Sequence, residues 1–145
     1  MRPGIKIRIH LNGHETGLSR SRITSICRSI LRGEAWDRTG EVHVILTDEP
    51  QIRKMNSKFL GHHRTTDVMA FPLCDPMDQV LGEIYICAPR AMAQAAEYGV
   101  TPAHETARLV IHGMLHLAGY TDGTKRDREA MHEKENDYLV RLGIN

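Results

Sequence analysis

The sequence lacks several features that would place it in a membrane or outside the cell. It has no run of roughly 18 apolar residues, the length that a membrane-spanning helix requires. Its first residues alternate apolar and charged side chains, unlike the start of a secretory signal. It also lacks repeats, low-complexity segments and an obvious linker, and 145 residues suit one domain. We therefore expect a single cytoplasmic domain over residues 1–145.

Cysteine and aromatic residues are scarce. The three cysteines, Cys27, Cys74 and Cys87, are an odd number without a CxxC pair. This pattern argues against a disulfide framework and against a thiolate zinc site, so we expect reduced thiols in the core. Aromatic residues make up only 5% of the chain, which is too few for an extended platform on which nucleic-acid bases stack.

A strong excess of charge of one sign is also absent. The net charge is +1 and the pI is near 7.8, below the value of about 9 that is typical of electrostatic nucleic-acid binders. Basic residues outnumber acidic ones by eight to three in residues 1–40, whereas residues 41–145 carry eleven basic and fifteen acidic residues. The composition therefore allows a basic face but indicates no partner.

The hydrophobic periodicity predicts an α+β fold, with a mixed sheet of about four strands packed against helices. Strands are expected near residues 5–10, 42–47, 65–72 and 81–87, and helices near 19–31, 48–59, 88–98, 102–118 and 125–142. Pro72 and Pro76 place the third strand near a sheet edge. The helix that begins at Pro102 is apolar on most sides, so it should be central and buried. The strand order does not follow from the sequence.

The candidate chemistry lies at the end of this central helix. His112 and His116 are four residues apart, so both imidazoles project from one helix face and can reach a single metal ion. Gly119 ends the helix, and the following turn can bring the carboxylate of Asp122 to the same ion. Three protein ligands would leave one tetrahedral position for water, which is typical of a catalytic zinc site.

Two other interpretations of the histidine pair are weaker. An HxxxH spacing can arise by chance among nine histidines, but two imidazoles in an otherwise apolar helix are costly to bury without a role. The metalloprotease pattern places a glutamate directly after the first histidine as general base. Gly113 occupies that position here, so a protease of that type is disfavoured.

The sequence resembles the YbeY metal-dependent endoribonucleases of ribosomal RNA maturation, whose signature is H-G-x-L-H-L-x-G-Y-D-H. The match runs through His112, His116 and Tyr120, and Asp122 stands where the family has its third zinc-binding histidine. Two further blocks match in order: Asn56 with residues 66–72, close to N-x3-R-x5-T-D-V-L-S-F-P, and residues 81–84, close to a G-D-I strand. The resemblance covers about residues 42–122.

The resemblance implies RNA as substrate, one zinc ion per chain with other divalent ions possible, and His112, His116 and Asp122 as metal ligands and catalytic residues. The family's phosphate-facing arginine falls on Leu60 here, and Arg64 is the candidate that could supply the charge instead. Other basic residues that could line the RNA path are Lys54, Lys58, His62, His63, Arg20, Arg22 and Arg28. An ordinary solvated face is the favoured explanation for the arginines of the first helix, whereas Arg64 is equally explained as a solvated loop arginine.

The resulting hypothesis is a zinc-dependent endoribonuclease that acts on precursor rRNA and the small ribosomal subunit, without a membrane partner. Glu83 and Asp67 are candidates for orienting a histidine ligand. One alternative is a non-catalytic ribosome-assembly or RNA-binding factor whose metal only braces the fold. Another is a metal-dependent hydrolase of a different substrate. An open fourth coordination position favours the enzyme, whereas the absence of the arginine at position 60 favours the assembly factor.

Overall fold

A computed structural model of the chain describes residues 4–60, 67–73 and 79–144, apart from the side chains of residues 59 and 60. Within these ranges the strands are β1 (Ile5–His10), β2 (Gly40–Thr47), β3 (Val68–Pro72) and β4 (Val80–Cys87). The helices are α1 (Arg20–Gly33), α2 (Glu49–Leu60), α3 (Ala88–Tyr98), α4 (Pro102–Leu117) and α5 (Lys125–Arg141). The predicted element types are confirmed, and the bounds differ by a few residues at most.

The four strands form one mixed sheet in the order β1-β2-β4-β3. β1 pairs with β2 and β2 with β4 in parallel, whereas β3 runs antiparallel to β4. The α+β prediction with a mixed four-stranded sheet is therefore confirmed. β3 is an edge strand that ends at Pro72, because proline lacks the N–H that a central strand would donate.

The main core lies between one face of the sheet and helices α1 and α4. Alternate residues of β2 and β4 point into it, as the period of two along a strand requires: Val42, Val44, Leu46, Ile84 and Ile86 are all completely buried. A smaller cluster on the opposite face joins Ile52 of α2 to Met69 and Cys87. Both Cys27 and Cys87 are buried free thiols, as predicted; Cys74 lies outside the described residues.

Helix α4 approaches the sheet closely because two glycines remove side chains from the contact. A Cβ atom built on Gly113 would lie 2.6 Å from Cγ2 of Ile84, and one built on Gly82 would lie 2.7 Å from Cδ2 of Leu117. Thr101 caps the helix by accepting a hydrogen bond from the N–H of His104. These contacts fix both the depth and the rotation of α4, which carries the histidine pair.

None of the described helices has both the length and the apolar character needed to cross a membrane. The main core consists largely of aliphatic side chains from β2, β4, α1 and α4, and α4 has the most buried residues of the described helices, as expected from its apolar periodicity. On this helix, His112 and His116 are half-buried. The fold thus places two polar rings at the edge of an apolar core.

Candidate metal centre

Helix α4 brings His112 and His116 together as the four-residue spacing predicts. Their Nε2 atoms are 3.0 Å apart, and the rings meet edge to face with centroids 4.6 Å apart. Their side chains are 18% and 26% exposed, so each ring has one side in the protein and one side toward solvent. Two nitrogen donors therefore converge at an accessible point.

Asp122 completes the group from the turn after α4. The helix ends at Leu117, and Gly119 has a φ of +106°, a left-handed conformation that glycine adopts without the strain of a side chain. Oδ2 of Asp122 lies 3.7 Å from Nε2 of His112 and 3.4 Å from Nε2 of His116. The three residues chosen from the sequence are thus together and could hold a metal ion.

The donor geometry suits a small divalent ion. Zinc–nitrogen bonds of about 2.0–2.1 Å in a tetrahedron imply donor–donor separations of roughly 3.3 Å, and the three observed separations are 3.0, 3.4 and 3.7 Å. A two-nitrogen, one-carboxylate set is a common kind of catalytic zinc shell. The three donor residues therefore fit a zinc ion, both in their spacing and in their chemistry.

Glu135 of α5 fixes the orientation of His112 from the buried side. Its Oε2 atom is 2.7 Å from Nδ1 of His112, and the side chain is only 1% exposed. Because an ionised carboxylate can only accept a hydrogen bond, Nδ1 carries the proton and the lone pair of Nε2 faces Asp122. A histidine ligand whose second nitrogen donates to a carboxylate is a recurrent arrangement around protein-bound metals.

A buried polar network continues behind Glu135. Arg108 lies 3.2 Å from Glu135 and contacts Glu105 through Nε at 2.8 Å and Nη2 at 2.7 Å. Its hydrogen bond with Glu105 raises the pKa of Arg108, so the guanidinium stays charged. Gln94 donates to both Glu105 and Asp67. Two buried carboxylates share one arginine here, and a cation bound by His112 would offset the remaining negative charge.

The electrostatic surroundings keep His116 neutral. Burial lowers its pKa, and the positive charge that His112 carries when it is protonated acts in the same direction. Asp122 and a backbone hydrogen bond at Tyr120 oppose these two effects without outweighing them. Only a neutral imidazole offers a lone pair to a metal, so the lowered pKa favours metal binding near neutral pH.

A further, largely buried carboxylate holds the turn that carries Asp122. Glu34, at the end of α1, accepts hydrogen bonds from the hydroxyls of Tyr120 and Tyr138 and from Nζ of Lys134. Burial alone would raise the pKa of Glu34, but these donors outweigh it and keep the pKa below its usual value. We call these four residues the Glu34 clasp. It connects α1, the turn after α4 and α5 around the candidate metal centre.

The structure describes only some of the residues that were predicted to contact RNA. Arg64, His62 and His63 lie outside the described residues, as does the side chain of Leu60. Arg22 and Arg28 donate to the backbone carbonyls of Leu142 and Ile5, so each has a structural hydrogen bond. These contacts favour the interpretation of α1 as a structural helix.

The two acidic residues proposed to orient a histidine have other partners in the described part of the chain. Glu83 interacts with Tyr85 on the same strand and raises its pKa through charge, after the larger effect of burial. Asp67 accepts a hydrogen bond from Gln94, which also donates to Glu105 in the network behind Glu135. Glu135, which does contact His112, was missed by the sequence analysis.

A signal for Glu135 is nevertheless present in the sequence. The buried stripe of α5 consists of Met131, Glu135, Tyr138 and Leu139, at intervals of four, three and one residues. A carboxylate in the middle of an apolar stripe must find a partner, because an unpaired buried charge is very costly. That position therefore indicates a buried histidine or arginine on the neighbouring helix.

Fold and site together define a single-domain α+β protein with a candidate His-His-Asp metal centre at the end of its central helix. The sequence matches the family model described as "Endoribonuclease YbeY" over residues 9–143. The chain therefore belongs to the YbeY endoribonuclease family. This membership supports an RNA-cleaving hydrolase.

Individual relatives agree with this assignment. The chain is 38% identical to the endoribonuclease YbeY of Desulforamulus reducens over 131 residues, which cover 85% of this chain and 86% of the relative. It is 38% identical to that of Finegoldia magna over 127 residues, covering 86% and 83%. The solution structure of TM1509 from Thermotoga maritima superposes with a TM-score of 0.65 at 33% identity, covering 96% of this chain and 89% of that one.

Proposed function

We propose that the protein is a zinc-dependent, single-strand endoribonuclease that acts in 3′-end maturation of 16S rRNA and in biogenesis and quality control of the small ribosomal subunit. The observation that carries this proposal is the convergence of His112, His116 and Asp122 in a chain of an endoribonuclease family. Action on precursor rRNA in the cytoplasm, together with the small subunit and its proteins, is part of the same proposal.

The candidate centre would hold one divalent ion through Nε2 of His112, Nε2 of His116 and Oδ2 of Asp122. A bound ion supplies Lewis acidity toward a phosphoryl oxygen and lowers the pKa of water to about 7, which suits phosphodiester hydrolysis at neutral pH. An ion held by three protein ligands would keep room for a water molecule, and His116 and Asp122 are both accessible to solvent.

The chain's own residues set the properties of this centre. Glu135 keeps His112 in the tautomer that presents a lone pair, and burial keeps His116 neutral. Asp122 adds a negative charge that a third neutral histidine would not, which weakens the Lewis acidity of the centre. Arg64 is proposed to face the RNA phosphate.

The primary test is metal content combined with RNA cleavage. Wild-type protein and Asp122→Ala would be purified without added metal, analysed for zinc and assayed on the same samples with single-stranded RNA. We expect the wild type to carry stoichiometric zinc and to cleave RNA, and the variant to lose both. Bound metal without cleavage, with or without small ribosomal subunits, would instead favour a non-catalytic assembly factor.

The role of Arg64 needs its own comparison. Arg64→Ala should reduce the cleavage rate if the guanidinium contacts a phosphate, and Leu60→Arg introduced into that variant should restore part of it, since this places an arginine where the family has one. An unchanged rate for Arg64→Ala would discard the proposed role of Arg64 without affecting the metal centre.

A further inference from the structure

A cavity of about 110 Å³ lies between α4 and α5, directly beside the candidate metal centre. His112 and Asp122 form one side of it, and Arg128 and His132 of α5 form the other. The volume is well above the ~10–15 Å³ that one water molecule needs. The cavity therefore has room for a polar group of several atoms next to the ligands of the centre.

The two arginines that line this cavity differ in their availability. Arg108 is 19% exposed, and its donors are occupied by Glu105 and Glu135 at 2.7–3.2 Å. Arg128 is exposed, and its contact is a long hydrogen bond of 3.4 Å from Nη1 to the backbone oxygen of Asp122. Among the described residues, no carboxylate forms an ion pair with Arg128. Its guanidinium can therefore accept an anionic partner from solution.

His132 lies beside Arg128 because the two residues are four positions apart on α5, which puts them on one helix face. Its side chain is 68% exposed, and Nδ1 is 3.7 Å from Oε1 of Glu135, too far for a hydrogen bond. An imidazole N–H and a guanidinium thus border the same small cavity, with hydrogen-bonding capacity to spare.

We propose that Arg128 and His132 form a phosphate-binding subsite that holds an RNA phosphate against the candidate metal centre. The planar guanidinium offers parallel donors that match two phosphate oxygens, and His132 offers one more. The contact of Arg128 with the backbone of Asp122 keeps this cation next to the metal ligands. The inference rests on the proposed function, since it names a substrate contact at that centre.

The subsite predicts a measurable electrostatic contribution to RNA binding. Each phosphate contact on single-stranded nucleic acid releases counterions and contributes about 0.7 to the slope of log K against log salt concentration. Arg128→Ala should therefore lower the magnitude of that slope by about 0.7 and weaken binding about tenfold at low salt. Arg128→Lys should restore the slope but only part of the affinity, because it keeps the charge and loses the planar fork.

The experiment uses the full-length, zinc-loaded protein and a fluorescent 2′-O-methyl oligoribonucleotide, whose integrity is checked on a denaturing gel. Affinity is measured by anisotropy over a range of salt concentrations, and zinc content is measured on every sample. Arg126→Ala is the matched control, because Arg126 is an exposed arginine in the first turn of α5 that does not line the cavity. His132→Ala should weaken binding less than Arg128→Ala.

The possible results separate the subsite from the proposed function. Equal affinities and slopes for Arg128→Ala and Arg126→Ala would overturn the subsite even if the wild type binds zinc and cleaves RNA. If the wild type binds RNA with a salt dependence that requires Arg128 but never cleaves it, the subsite is supported and the proposed endoribonuclease activity is contradicted. A wild type that does not bind the oligonucleotide would overturn the subsite as well.

Discussion

Two histidine pairs in this protein look alike locally, yet only one forms a candidate metal centre. His10 and His43, on β1 and β2, place Nε2 and Nδ1 2.8 Å apart, and Nε2 of His43 is 3.1 Å from Glu41. His112 and His116 have a 3.0 Å contact and a 2.7 Å contact to Glu135. We refer to them as the sheet pair and the helix pair.

The difference lies in the third donor and in burial. The rings of the sheet pair are stacked, 6° from parallel. One proton in each contact is enough to make a hydrogen bond between the two rings and another from His43 to Glu41. The helix pair has rings at 73°, and Asp122 adds a further acceptor on the same side. Glu41 is 27% exposed and shared with Arg8, whereas Glu135 is 1% exposed. A histidine contact therefore indicates a metal site only when a third donor converges on it.

The largest expected effect is loss of metal from the helix pair. His116→Ala should remove most of the bound zinc and the RNA cleavage that depends on it, because two ligands bind far more weakly than three. His43→Ala should leave the zinc content unchanged. Elemental analysis after dialysis against metal-free buffer measures both. Zinc loss from His43→Ala but not from His116→Ala would show that the sheet pair, and not the helix pair, binds the metal.

The second effect concerns the carboxylate behind each pair. Glu135→Gln should weaken zinc binding by about 10- to 100-fold, because the amide orients His112 less strongly and lowers its basicity. Glu41→Gln on the sheet pair is the matched control and should leave the affinity unchanged. Competition with a chromophoric chelator gives the affinities. Identical dissociation constants for the two variants would contradict the orienting role of Glu135.

The third effect concerns the charge of the third donor. The Asp122 carboxylate makes the ion a weaker Lewis acid than a neutral histidine would, so water at the centre should have a higher pKa. We expect the wild type to show a more alkaline activity optimum than Asp122→His and better activity with manganese. Rate–pH profiles recorded with each metal test this. Superimposable profiles would remove the proposed influence of the carboxylate.

The smallest effect concerns stability, and it contrasts Glu34 with Glu41. Glu34→Gln should lower the free energy of unfolding by about 1–3 kcal/mol at pH 7, because the three donors of the clasp lose a charged acceptor. The pKa of Glu34 is lowered by folding, so this stabilisation is present above the unfolded value of about 4.3 and is lost as the pH falls through the folded value.

Urea unfolding at neutral pH and at successively lower pH measures this dependence. The difference between Glu34→Gln and the wild type should shrink as the pH falls. Glu41→Gln should change the stability much less, since Glu41 interacts at the surface with His43 and Arg8. A difference for Glu34→Gln that does not vary with pH would show that the clasp does not depend on the charge of Glu34.

The sequence predicted much of the fold because local patterns determined it. The apolar periodicity and Pro102 located α4, Gly99 marked the end of α3, and alternation located β1. The strand order was not predictable, because the choice of neighbours for β4 depends on packing between elements far apart in the chain. Pro72 and Pro76 indicated the edge position of β3, whereas its antiparallel direction was not predicted.

The candidate site also has one part that the sequence predicted and another part that it did not. His112, His116 and Asp122 lie within eleven residues of each other, so helical spacing and one turn were enough to group them. Glu135 is 23 residues from His112, and its contact depends on how α5 packs against α4. The Glu34 clasp spans 86 residues between Glu34 and Tyr120. Such contacts between distant segments require the tertiary structure.

The close approach at Gly113 also limits how this scaffold could change its chemistry. Any side chain at position 113 would be driven into Ile84, because the helix is rotated with that position toward the sheet. A glutamate placed there, as in the metalloprotease motif, would have its stem wedged into the core and could not serve as a base beside the histidines. Conversion to a peptidase-like centre would therefore require α4 to be lifted and turned, which no single substitution can achieve.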